Sequence, residues 1–154
     1  MLREICKYFR CLQEEMPQIP YFVFSNDEQT LRDSVGGFND YYMFVDYGEF
    51  NSLVDGKNRI FNALEISVTI AQPLGARNVT LEETAEYQFE SFDLCARIRE
   101  RMWTDQREHP WLQHLSDDHR IVQFVAPDIC RSIGHSLLFK VEGPDLLDIK
   151  KRLP

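Results

Sequence analysis

Three of the four histidines, His109, His114 and His119, fall within the segment HPWLQHLSDDH, together with Asp117 and Asp118. Imidazole and carboxylate groups are the usual ligands of zinc and non-haem iron. His109, His114, Asp117 and His119 are therefore the candidate metal ligands, and a metal-dependent enzyme is one reading of the chain. The spacing opposes it. A helical HExxH pair converges because its histidines are four apart on one face. His109 and His114 are five apart, about 500° of helical rotation, with Pro110 between them. Pro110 suits the first position of a new turn. On that turn Trp111 and Leu115, four apart, can pack inward, and Asp117-Asp118-His119 reads as the approach to the next strand. As geometry the segment is a connector with His109 and His119 on its exposed edge. His109, Trp111 and His119, with Cys130 and Arg131 from a later loop, are the candidate interface residues.

Other chemistry is sparse. No GxGxxG, GxxxxGK[ST] or GxSxG pattern occurs, and Gly36-Gly37 reads as a helix terminator. Cys6, Cys11, Cys95 and Cys130 form no CxxC pair, so four reduced thiols are expected rather than a disulfide framework. Cys95 sits on an apolar helical face and reads as core. Cys130 precedes His135 by five residues, a thiol–imidazole pairing without a third group to orient it. Asp46 and Glu49 flank a glycine, and neither has a nameable partner. No catalytic residue and no cofactor is expected.

The elements that must position these residues follow from periodicity. Leu2, Ile5, Phe9, Leu12 and Met16 mark an amphipathic N-terminal helix that Pro17 ends. PYFVFS reads as a strand and DEQTLRDSV as a short helix. YYMFVDYG (Tyr41 to Gly48) is a second strand, followed by a loop with a turn signal at Asp55-Gly56. Leu64, Ile66, Val68 and Ile70 alternate with Glu65, Ser67, Thr69 and Ala71, the clearest strand in the chain. Thr80-Leu81-Glu82-Glu83 has the form of a capping box. It opens a long helix to about Trp103, with Ala85, Phe89, Phe92, Cys95, Ala96, Ile98 and Met102 as the expected apolar face. Its acidic residues precede Arg97, Arg99 and Arg101, as the helix dipole favours. RIVQFVA (120–126) and HSLLFKVEG (135–143) are the last strands, joined by a projecting loop. Because strands come in adjacent pairs, the expected fold is α+β: a mostly antiparallel sheet with the N-terminal and long central helices packed on one face.

Composition sets the class. With 154 residues, 44% hydrophobic and 27% charged, the chain is a single globular domain over 1–154, with 144–154 a C-terminal tail or short helix. A net charge of −8 repels phosphate backbones and disfavours nucleic-acid binding. There is no run of ~18 apolar residues to span a membrane. The N-terminal MLREICKYFRC lacks the apolar stretch of a signal peptide, so the cytoplasm is the expected location.

The order of elements resembles that of tail terminator and tail-completion (head–tail joining) proteins of tailed bacteriophages. The residues that carry the likeness are LEISVTIAQP (64–73), TLEETAEYQFESFDLCARIRERM (80–102), RIVQFVAPDI and HSLLFKVEG. PYFVFSNDEQTLRDSVGGF departs from that pattern. The resemblance implies a non-enzymatic protein that assembles into a ring with copies of itself and other assembly proteins, capping a tail tube within the virion. It also implies an acidic wall lining a DNA conduit. The alternative is a small-ligand-binding or regulatory domain with a pocket between sheet and long helix near Tyr41, Met43 and Phe92.

Overall fold

A computed structural model describes residues 1–54 and 60–143. In chain order the elements are α1 (Leu2–Glu15), β1 (Tyr21–Phe24), α2 (Glu28–Val35), β2 (Tyr42–Asp46), β3 (Phe50–Val54), β4 (Ile60–Pro73), α3 (Leu81–Thr104), a 3-10 turn (Pro110–His114), β5 (Arg120–Ala126) and β6 (Ser132–Gly143). The strands form one sheet in the order β1-β2-β4-β6-β5, with β3 also paired to β4. Among the described residues only the β1–β2 pairing is parallel, so the fold is the expected α+β with a mostly antiparallel sheet. Parallel neighbours need a crossover, and α2 supplies it. The turn signal at Asp55-Gly56 and the 144–154 tail lie outside the described residues.

Strict alternation along β4 gives the sheet two different faces. Leu64, Ile66, Val68 and Ile70 join Tyr41, Met43 and Val45 and the β6 residues Leu137, Phe139 and Val141 in the larger core. α1 covers this face with Ile5, Tyr8, Phe9 and Leu12, and α3 with Leu94, Cys95, Ile98 and Met102. Each fully buried Ile or Met on that face stabilises by about 1.5–3 kcal/mol. The opposite face carries Val23, Tyr42, Phe44 and Ala71, which pack under Leu31 and Val35 of α2. Helices therefore lie on both faces. α1 and α3 share one, as expected, while α2 turns its short apolar stripe to the other.

Three differences from the sequence reading have local causes. β3 occupies a segment that the sequence reads as loop ahead of the Asp55-Gly56 turn signal. It is held by pairing with Ile60–Leu64 of β4, the same strand that β2 pairs further along. Gly48 makes the break between β2 and β3. It adopts φ +47°, and a Cβ there would lie 2.8 Å from the Glu65 carbonyl oxygen. Asp46 Oδ1 accepts from the Gly48 N–H at 2.8 Å, which uses that carboxylate in the turn.

The second difference is in α3. Its cap is as expected, with Thr80 Oγ1 accepting from the Glu83 N–H at 3.1 Å. Its buried stripe is Ser91, Leu94, Cys95, Ile98 and Met102, and Phe89 and Phe92 face outward. The small Ser91 and Cys95 let the helix approach β6 closely, and the Cys95 thiol donates to the His135 carbonyl at 3.5 Å. Phenyl rings at those positions would hold the layers apart.

The third difference is the connection before β6. It does not project. Ile129 is buried, and the Cys130 carbonyl accepts from the N–H groups of Leu74 (3.1 Å) and Gly75 (2.8 Å). Arg131 Nη1 donates to the carbonyls of Gly75 and Arg77, both at 3.0 Å.

Candidate functional site

The His/Asp cluster is dispersed. His109 precedes the 3-10 turn, its ring edge-on to Tyr8 at 4.8 Å. His114 lies against Gly143, where a Cβ would come within 3.3 Å of His114 Nδ1. His119 stacks on Trp103 with ring centres 5.2 Å apart, and its Nε2 is 2.6 Å from the Ser116 carbonyl oxygen. A carbonyl only accepts, so the proton is on Nε2. Asp117 is exposed, and Asp118 engages Ser116 through its backbone N–H. Each ring is committed to a different neighbour. Among the described residues no group of three or more His, Cys, Asp or Glu side chains is placed to hold a metal ion.

The five interface candidates do not share a surface either. Trp111 is 5% exposed and packs on Tyr8 and Phe9, so it is core. His109 and His119 are half-buried. Cys130 and Arg131 sit at the opposite end of β6, tied to the segment after β4. Trp111 and Leu115 do tether the connector, as their four-residue spacing requires.

A pairing that sequence reading missed lies between α3 and β6. His135 Nδ1 is 2.9 Å from Ser91 Oγ, which also donates to the Gln88 carbonyl at 3.1 Å. With that hydroxyl proton spent, His135 is the donor to Ser91. Ser91 is fully buried, so no substrate reaches its oxygen. Burial pushes the neighbouring Cys95 thiol up to about 12, which keeps it protonated and inert as a nucleophile. The Ser91–His135 contact is a structural tie rather than a nucleophile–base pair. No spacing rule links residues 44 apart on a helix and a strand, which is why the sequence did not show it.

Tyr41 and Met43, the expected lining of a pocket between sheet and long helix, lie in the interior. Both side chains are buried, Tyr41 Oη donates to Glu90 Oε2 at 3.1 Å, and Phe92 points away. Surface hollows lie elsewhere, two of them beside charged or aromatic side chains. One, of about 250 Å³, lies on the sheet face beyond α2 and is lined by Asp46, Glu65, Asp118, Arg120 and Lys140, whose opposite charges largely offset one another. The other, of about 720 Å³, lies between the start of α1 and Tyr47, Phe50 and Leu64.

The most distinctive surface is the flank of α3 beside β5. Ala85, Phe89, Phe92, Ala96, Arg99 and Trp103 repeat at steps of four and three, a second stripe next to the buried one. Phe89 is 62% exposed, Phe92 45% and Trp103 41%. Phe92 meets His135 at 5.5 Å and Trp103 meets His119, so the stripe runs along the sheet's β5 side. There Val125 of β5 is 56% exposed. β5 ends the sheet, and among the described residues nothing pairs with its outer edge. No described helix is long and apolar enough to cross a membrane. The chain matches no protein-family model and no curated protein at a significant level of sequence similarity.

Proposed function

We propose that this protein is a non-enzymatic, self-associating structural subunit, most concretely a ring component like the tail terminators of tailed bacteriophages. The observation that carries the reading is the aromatic flank of α3 beside the unpaired edge of β5. Phe89, Phe92, Trp103 and Val125 expose apolar surface along α3 and β5, next to a row of backbone donors and acceptors. Such a combination marks a protein–protein contact, because water solvates neither exposed aromatic rings nor an open edge as well as a partner does. Subunits that present different surfaces to their two neighbours close into a ring when the rotation fits. The net charge of −8 suits the wall of a conduit along which DNA must slide without sticking.

Light scattering of the full chain across a concentration series, followed by electron microscopy of the largest species, tests the reading. Closed rings of uniform subunit number are expected. A monomer at every concentration, alone and with tail-tube protein, would remove it.

A further inference from the structure

We propose that the second stripe of α3 is the acceptor for α1 of another copy of this chain, so that subunits join head to tail; this rests on the self-association reading above. Within one subunit the two helices are neighbours. Glu15 of α1 binds Arg101 of α3 at 2.8 Å, and Tyr8 binds Asp105 at 2.9 Å. Moving back along α1 therefore moves forward along α3, and the helices are antiparallel. α1 lies on β1 and β2 and reaches Phe139 of β6 through Phe9, while α3 lies on β4, β6 and the near side of β5. The helical layer thus has two outer flanks, one of α1 on the β1 side and one of α3 on the β5 side. These coincide with the two end strands of the sheet. At 100° per residue, the outer flank of α1 carries Leu2, which is exposed, and Cys6, which is half-buried.

Charge identifies the occupant. Beside its aromatic stripe, α3 presents Glu82, Glu86, Asp93 and Glu100, all exposed and without an ion pair among the described residues, against the exposed cations Arg97 and Arg99, so this side of the helix is net acidic. A second α3 laid antiparallel on the stripe would set Asp93 against its own counterpart and Glu86 against Glu100, so a two-fold contact is disfavoured. α1 carries the complementary set. Arg3, Lys7 and Arg10, at steps of four and three, are exposed, and among the described residues only Arg10 has an ion-pair partner, Glu14 at 3.8 Å. A contact of α3 with α1 repeats the antiparallel order already present inside the subunit. It also brings β5 of one copy towards β1 of the next with the chains running in opposite directions. Each copy keeps one unused flank of each kind, as ring growth requires.

Sedimentation of the full chain at low salt, where surface charges are least screened, tests the contact with two charge-reversed forms. One carries Glu86→Lys, Asp93→Lys and Glu100→Lys. The other carries Arg3→Glu, Lys7→Glu and Arg10→Glu. Each is expected to weaken self-association about tenfold or more. Mixing the two, or placing all six changes in one chain, is expected to restore it, which a folding defect would not allow. Association unchanged in either form, or lost only when α3 is reversed, overturns the head-to-tail contact. A monomeric parent protein overturns the self-association reading itself and is told apart by having no association to weaken.

Discussion

Tyr8 Oη donates a 2.9 Å hydrogen bond to Asp105 Oδ2, joining the first helix to the end of the third across 97 positions of sequence. Both side chains are buried, and Asp105 also accepts from Arg101 Nε at 3.1 Å. The two partners are therefore unequal. Tyr8→Phe leaves Asp105 its arginine and is expected to destabilise by about 0.5–1.5 kcal/mol. Asp105→Ala strands a buried hydroxyl and removes one of the two acids that Arg101 binds, so about 1–3 kcal/mol is expected. Urea unfolding of the two variants checks the order; a Tyr8→Phe loss equal to or greater than that of Asp105→Ala would contradict it.

Gly134 is the most tightly packed of the described glycines. A Cβ there would fall 2.0 Å from the Ile70 carbonyl oxygen and 2.7 Å from Ala71 Cα, both backbone atoms of the central strand. No side-chain rotation relieves that overlap. Gly134→Ala is expected to cost at least about 3 kcal/mol, at the upper end for overpacking, or to yield insoluble protein. Gly37→Ala, where no atom lies within 4 Å, is the control and should express and melt normally.

The cysteines should differ sharply in reactivity. All four are free; Cys11 is exposed, whereas Cys95 is fully buried with its thiol pushed up to about 12. The thiolate is the reactive form. Alkylation of the native protein, read by mass spectrometry, should label Cys11 rapidly and leave Cys95 unlabelled until the chain unfolds. Labelling of Cys95 at a rate comparable to Cys11 would mean that α3 lifts from the sheet.

Local signals in the sequence were enough for α1, the cap of α3, the alternation of β4 and the 3-10 turn at Pro110. Each is set by neighbours within one or two helical turns or a few strand positions. What the sequence concealed depends on contacts distant along the chain. FNSLV becomes a strand because β4 offers an edge, and α2 changes face because Tyr42 and Phe44 need a cover. α3 contains two apolar stripes side by side, and periodicity does not say which one β6 receives. The small Ser91 and Cys95 decide it. The His109–His119 segment was legible as a connector from its five-residue histidine spacing and Pro110; the neighbours that hold its three rings apart, Tyr8, Gly143 and Trp103, were not.

His135 should make the fold sensitive to mild acid. Burial holds its imidazole below the ordinary value of 6.5, so the unfolded chain binds the proton more readily. The stabilisation from keeping the ring neutral is present above pH 6.5 and is lost as pH falls below it. Thermal melts between pH 7.5 and about 5 should show a decline that flattens in His135→Asn, whose amide can still donate to Ser91. The effect is modest because the ring is only half-buried. An identical pH slope in the variant would assign the acid sensitivity to other groups.

At the alkaline end three tyrosines act together. Burial, and for Tyr8 and Tyr41 the carboxylates of Asp105 and Glu90, raises their phenols above the ordinary value of 10.0; Tyr42 is pushed up to about 12 by burial. The unfolded chain therefore releases these protons first. Stability from the neutral phenols is intact below pH 10.0 and falls as pH rises beyond it. Each group adds to the slope, by at most about 1.4 kcal/mol per pH unit. Tyr8→Phe starts from a lower stability at neutral pH, yet its decline between pH 10.5 and about 11.5 should be shallower than that of the parent. Urea midpoints across that range, paired with phenolate absorbance, measure both quantities. A slope unchanged by Tyr8→Phe would show that the Tyr8 phenol ionises as readily in the folded protein as in the unfolded one.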